Sequence, residues 1–485
     1  MTDAPITTTK AEPTDTLSVT QHSLELGGVV LRYTVTTGTL VLREEATKDG
    51  VFEGEKAKAT VFFVAYTLTG TDLQTRPLTF SFNGGPGSSS VWLHLGLLGP
   101  KRVLFDDEGH PTPPPYRLSD NEYTLLWESD LVFIDPVSTG YSRAVSGEKA
   151  GEFHDSKKDV ASVGDFIRLY TTRYGRWLSP KFLIGESYGT TRAAGLSGYL
   201  QERHGLNLNG IMLVSSVLDF GTLLPAPGND LPHLVILPSF TATAWYHGRL
   251  PDDLQAKPLA EVLAEAEAFV LGEYASALFA GDRLSAEKRA AVRAQLARFT
   301  GLTEDYLEQT DLRLDIFRFT KALLRHEKRT VGRLDSRFSG GDRDAAGETF
   351  SYDPAYAVIQ GPYTAAFNDY VRRDLGFESD LSYEIIASLE PRWSYKEFEN
   401  RYTETGETLR GAMTQNPYLR VHVASGYFDL ATPYFATEYT LAHLGLTPEQ
   451  RERLSLSYYP SGHMMYVQKA SLEMLAAELK AFVTA

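Results

Sequence analysis

Polar and apolar positions alternate along the first part of the chain and then cease to do so. VVLRYTVTTGTLVLREE and ATVFFVAYTL carry a period of two, which predicts antiparallel strands between about residues 22 and 80. Three later runs, LVFID (131–135), KFLIG (181–185) and GIMLVSS (210–216), are short, continuous and β-branched. Such runs suit strands buried on both faces of a parallel sheet. Between the first two, Val160, Val163, Phe166, Ile167 and Tyr170 recur at helical spacing behind Asp155, a candidate N-cap. Strand, helix, strand, helix predicts an α/β fold with a central, mostly parallel sheet.

From about 230 to 340 the pattern changes to Ala-, Leu-, Glu- and Arg-rich helices with no strands between them. Sheet signals return in RVHVASGYFD (420–429) and RLSLSYYPSGH (453–463). Thr447-Pro448-Glu449-Gln450 reads as a capped helix start, and YVQKASLEMLAAELKAFV closes the chain as a helix. The expected division is a mobile N-terminal segment (1–20), a core made from 21–228 and 350–485, and a helical insertion (229–349), with 339–350 an exposed loop.

Composition narrows the chemistry. The 485 residues are 42% hydrophobic and 12% aromatic, enough to bury a large core. A formal net charge of -15 without a Lys/Arg-rich run argues against a nucleic-acid partner. There is no cysteine, which excludes disulfides, thiolate catalysis and Cys-based metal sites. No metal motif is present, so neither metal nor organic cofactor is expected. No run of 18 apolar residues exists, so no membrane span is expected. The N-terminus lacks the basic start and apolar core of a signal peptide. The expectation is a cytoplasmic protein, or a secreted one if a leader was removed; the oligomeric state stays open.

One short stretch carries candidate chemistry. GESYG (185–189) follows Phe182-Leu183-Ile184 and precedes a helical pattern, so Ser187 sits where a buried strand turns into a helix. Flanking glycines let that corner close, as in a nucleophile elbow. A serine hydroxyl is a weak nucleophile and needs a base, itself oriented by a carboxylate. On such a fold the acid and then the histidine follow later core strands. His463, in a Ser-Gly-His turn after LSLSYY, fits best among 11 histidines. Asp429, just past RVHVAS, is the candidate acid; Asp353 and Asp380 are rivals, and turn capping is the other reading of Asp429. NGGPGSSS (83–90) is a candidate second half of an oxyanion hole, beside the Tyr188 amide, because Gly84 and Gly85 leave backbone amides open to a substrate oxygen. It matches neither phosphate-cradling glycine pattern.

NGGPGSSS, NEYTLLWESDLVFIDPVSTGYS, GESYG, SGYFDLATP and SGHMM occur in the order found in serine carboxypeptidases, the S10 family of α/β-hydrolases. Over about residues 75–220 and 415–470 the chain resembles that family. The resemblance implies an α/β-hydrolase fold whose helical insertion forms a cap over the active site. It implies release of C-terminal residues from peptides through an acyl-enzyme, with Ser187 as nucleophile, His463 as base and Asp429 as its partner. The amides of Gly85 and Tyr188 would form the oxyanion hole. Asn83, the Gly84 amide and Glu186 would bind the free C-terminal carboxylate of the peptide. Two carboxylates repel unless one holds a proton, so Glu186 is expected to be protonated or to share a proton, favouring mildly acidic pH. The other reading of Glu186 is a residue that only fixes the elbow.

Some positions depart from the family pattern. Ser81 stands where the family usually has tryptophan, and Leu97, just before Gly99-Pro100, where it often has an acid; both normally support the carboxylate site. Ser88 replaces a common cysteine, and DPVSTGYS (135–142) is one residue shorter than usual. An esterase or acyltransferase with the same triad is therefore the alternative function. A catalytically silent scaffold is a third reading, against which the intact triad argues.

Overall fold

The computed structural model describes residues 12–389 and 393–485. Strands β1 (Thr16–Leu26), β2 (Val29–Lys48) and β3 (Val51–Leu68) form an antiparallel meander. Six more strands follow: β4 (Leu78–Phe82), β5 (Asp130–Ile134), β6 (Lys181–Ser187), β7 (Gly210–Ser216), β8 (Arg420–Gly426) and β9 (Leu454–Tyr459). These six pair in parallel, and the order across the sheet is β1-β2-β3-β5-β4-β6-β7-β8-β9. The antiparallel pair β3–β5 joins the two parts.

The continuous apolar runs have a direct cause: both faces of the parallel strands are covered. On β5, Leu131 and Phe133 enter one hydrophobic cluster while Val132 and Ile134 enter another. Phe182 and Ile184 on β6 share the first, and Leu183 the second. Helices α1 (Ser156–Arg173) and α2 (Tyr188–His204) cover the second face with Val163, Phe166, Leu196 and Leu200. Helices α3 (Pro354–Arg373) and α4 (Lys469–Thr484) cover the first with Ile359, Phe367, Leu475 and Leu479. Each such side chain, once buried, contributes roughly 1.5–3 kcal/mol. Asp155 caps α1 as its position suggested, accepting from the Lys158 amide at 2.7 Å. The result is an α/β-hydrolase fold, with ligand-accessible strand ends on one edge of the sheet.

Between β7 and β8, helices Leu237–Tyr246, Leu259–Phe269 and Ala286–Thr300 close on a third cluster of their own, joined by Leu430. Two expectations change. Thr16–Thr20 are not a mobile lead-in but open β1, registered from Thr16 opposite Thr39. TLSVTQHSLEL alternates like the strands that follow it, and pairing with β2 satisfies its backbone. Residues 1–11 of that segment lie outside the described residues. Nor is 339–350 wholly an exposed loop: Ser339–Gly341 pairs with Arg329–Val331, and Asp342 is buried in an ion pair with Lys321. Among the described residues no helix is long and apolar enough to cross a membrane.

Candidate active site

β6 delivers Ser187 to the edge of the sheet and α2 begins at the next residue. Ser187 has φ 61° and ψ -131°, a strained conformation for a residue with a Cβ. The corner leaves no room for side chains around it. A Cβ on Gly189 would come within 2.8 Å of the Phe82 carbonyl oxygen, and one on Gly84 within 2.8 Å of the Glu186 oxygen and nearer still to the Tyr188 amide. The 83–90 loop is thus laid directly against the elbow, and Gly85 and Tyr188 line the same cavity.

The loops after β8 and β9 supply the next two residues. His463 Nδ1 lies 2.7 Å from Asp429 Oδ2, and both side chains are buried. Asp429 Oδ1 accepts from the amides of Ala431 at 2.8 Å and Thr432 at 3.0 Å. One oxygen thus caps its turn while the other faces the imidazole, a geometry compatible with both readings of Asp429. Burial alone would lower the His463 pKa; the charge and hydrogen bond of Asp429 outweigh it, and the net direction is upward. The rivals are bonded to other groups, although Asp353 lines the same cavity. Asp353 caps α3, and Asp380 is a solvent-exposed partner of Arg372.

Glu186, one residue before the elbow, is 3% exposed. Its Oε1 accepts from Asn83 Nδ2 at 2.9 Å and its Oε2 from the Tyr466 hydroxyl at 2.6 Å. Burial pushes its pKa up to about 7, against the pull of His463 and of the Tyr466 and Asn83 hydrogen bonds. The same carboxyl can therefore carry a proton below neutrality. Asn83 is fixed in turn, its Oδ1 accepting from the Leu93 amide at 3.1 Å.

These residues meet at one cavity of about 800 Å³, lined by Asn83, Gly84, Gly85, Glu186, Ser187, Tyr188 and His463, with Trp92, Phe220, Phe317, Tyr356 and Met464 among its apolar walls. Every residue predicted for the site except Asp429 lines it, and Asp429 stands behind His463.

Against this geometry, the serine carboxypeptidase (peptidase S10) profile matches residues 47–478. The chain belongs to the serine carboxypeptidase family. Serine carboxypeptidase-like 33 of Arabidopsis thaliana is 27% identical over 170 residues, covering 33% of this chain and 34% of the relative. Carboxypeptidase Y homolog A of Talaromyces stipitatus is 27% identical over 152 residues, 30% of this chain and 25% of the relative. Pheromone-processing carboxypeptidase KEX1 of Saccharomyces cerevisiae is 33% identical over 120 residues, 23% and 15% respectively. The matched segments thus span about a third or less of these relatives' own lengths. Among solved structures, a proline iminopeptidase of Mycobacterium smegmatis aligns with a TM-score of 0.34 and 13% identity, covering 92% of this chain and 97% of that one.

Set beside the serine carboxypeptidase pattern, the departures acquire a structure. Ser81 and Leu97 are both buried. Neither contributes a hydrogen bond to Glu186; the Tyr466 hydroxyl holds the oxygen that Asn83 does not. Ser88, at the family's cysteine position, accepts from the Trp92 indole at 2.7 Å. The glycine loop is tied to 385–387 by backbone bonds, Ser89 N to Ile385 O at 3.1 Å and Ala387 N to Gly87 O at 2.8 Å. Asp135, which opens the shortened loop, accepts from both the amide and the hydroxyl of Ser90 at 2.8 Å.

Two positioning residues were missed from sequence. Tyr466, three residues past His463, reaches Glu186 Oε2 with its hydroxyl. Arg192 is buried on α2, donating to the Asn83 carbonyl at 2.6 Å and to Asp159 of α1 at 2.7 Å. The available signal was an arginine on the buried face of the helix after the elbow, where a charge needs a partner.

Proposed function

We propose that the chain is a serine-type carboxypeptidase, releasing C-terminal residues from peptides through an acyl-enzyme at mildly acidic pH. The observation that carries this reading is Glu186: a buried carboxyl, bonded by Asn83 and Tyr466, that opens on the cavity shared by Ser187 and His463. Ser187 Oγ attacks the last peptide carbonyl while His463 takes its proton and then gives it to the leaving amine. Asp429 fixes the imidazole through its Nδ1. The Gly85 and Tyr188 amides receive the oxyanion, and water attacks the acyl-enzyme in a second passage through the same steps. Glu186, protonated below about pH 7, donates to the substrate's terminal carboxylate together with Asn83 and the Gly84 amide. The 229–349 insertion acts as the cap, lending Phe317 and Arg333 to the cavity.

The second reading, an esterase or acyltransferase, is favoured by Ser81 and Leu97, which remove two usual supports of the carboxylate site. A fluorophosphonate and a free-acid peptide separate the readings. The carboxypeptidase labels stoichiometrically at Ser187 and removes residues one by one from the peptide, seen by mass spectrometry, and Ser187→Ala does neither. Labelling with cleavage of a simple ester but no loss from the peptide would transfer the site to the second reading. No labelling of folded protein would favour the scaffold.

A further inference from the structure

The cavity has four charged residues on its walls: Glu186, Arg333, Asp353 and His463. Three have protein partners. Glu186 is held by Asn83 and Tyr466, and His463 by Asp429. Asp353 accepts from the amides of Arg333, Leu334 and Ala355. The Arg333 guanidinium, half-buried, has no hydrogen-bond or ion-pair partner among the described residues. Arg337, four residues on, shows the contrast, since it is bonded by both its Nε and Nη2 to Asp335. A guanidinium offers five donors in a planar fork suited to a carboxylate.

Its backbone is firmly placed. The Arg333 amide donates to Asp353 at 3.1 Å, its carbonyl accepts from Leu430 at 3.1 Å, and the next carbonyl, of Leu334, accepts from the His463 amide at 2.6 Å. The residue is near enough to the imidazole for its charge to oppose protonation there. Asp353 caps α3, whose Tyr356 lies 6.4 Å from Trp92, ring to ring, and Trp92 lies 5.0 Å from Tyr363 of the same helix. Tyr363 in turn feels the charge of Glu186. Arg333 therefore lines the cavity shared by Glu186 and Ser187, on a segment bonded to the His463 backbone.

We infer that Arg333 is a specificity-determining residue that receives the side-chain carboxylate of an acidic C-terminal residue, so that peptides ending in glutamate or aspartate are preferred. The inference rests on the carboxypeptidase reading: with the α-carboxylate held at Glu186, the side chain of the departing residue occupies the cavity that Arg333 lines. The other charged groups lining the cavity are already bonded within the protein, so a charge-assisted fork from Arg333 is the strong contact left for a substrate side chain.

The test uses three peptides identical except for a terminal Glu, Gln or Lys, at about pH 6, where a glutamate side chain is ionised. The enzyme is expected to show kcat/KM at least about tenfold higher for Glu than for Gln. Arg333→Gln brings that ratio close to one, and Arg333→Glu turns the preference toward Lys, a gain that misfolding cannot produce. Equal rates on Glu and Gln in the unmodified enzyme would overturn the inference. So would equal losses on both in Arg333→Gln, which would assign the guanidinium to the α-carboxylate or to the fold. Failure to cleave any of the three would sink the carboxypeptidase reading, and the role of Arg333 with it.

Discussion

Replacing Tyr466 by phenylalanine removes one hydroxyl, the donor 2.6 Å from Glu186 Oε2. A hydrogen bond given to a carboxylate favours the charged form and lowers its pKa, so losing it raises the pKa. Bonds to charged groups are worth roughly 1.5–3 kcal/mol, and one pKa unit is about 1.4 kcal/mol, which sets a ceiling near two units. The protonated acid also accepts from the tyrosine through its carbonyl oxygen, so part of the effect cancels and a rise of roughly one unit remains. Glu186 then titrates at about 8 rather than at about 7. On the proposed mechanism protonated Glu186 is the form that binds the substrate carboxylate, so kcat/KM on a free-acid peptide is lost as pH rises through the Glu186 pKa. The assay is the pH profile of kcat/KM for one such peptide. In Tyr466→Phe its alkaline limb moves upward by roughly one unit. The acid limb reports His463, whose net shift is upward, and because the two groups feel each other the limbs belong to the pair. An alkaline limb that stays put, or moves down, would refute the reasoning.

Three other substitutions probe the same site. Glu186→Gln keeps a donor at every pH, so its profile on free-acid peptides loses the alkaline limb near neutrality; a limb that persists would detach that limb from Glu186. Asp429→Asn leaves the turn intact but gives His463 Nδ1 no ionised partner, and kcat should fall by about 10⁴ with the melting curve little changed. Gly84→Ala puts a methyl onto the Tyr188 amide and Glu186 carbonyl, backbone groups that cannot rotate aside. Expect a loss of roughly 1–3 kcal/mol in denaturant unfolding together with loss of fluorophosphonate labelling; full stability would show that the corner is looser than described.

What the sequence made legible was local. LVFID, KFLIG and GIMLVSS announced themselves because strands covered on both faces cannot afford polar positions. Ser187, Asp429 and His463 stood out because each lies at or just beyond the end of a core strand, and the chain order of those strands fixes the order of the residues. Tyr466 was not recoverable in the same way: it meets Glu186 across a sequence separation of 280, and its own neighbourhood reads as ordinary apolar packing. Arg192 meets the Asn83 carbonyl across 109 residues for the same reason. The first residues of β1 were missed because a Thr-rich opening resembles a loose terminus until its alternation is matched to a partner strand. Arg333 shows the limit most clearly, since a missing ion pair is a property of the assembled cavity.

The central claim is that Glu186, Asn83 and Gly84 form a clamp for a free C-terminal carboxylate beside a serine nucleophile. One peptide in two forms, C-terminal acid and C-terminal amide, mixed at mildly acidic pH and followed by mass spectrometry, tests it most directly. The account predicts that the acid form shortens stepwise from its end while the amide form persists. Equal shortening of both forms would contradict it.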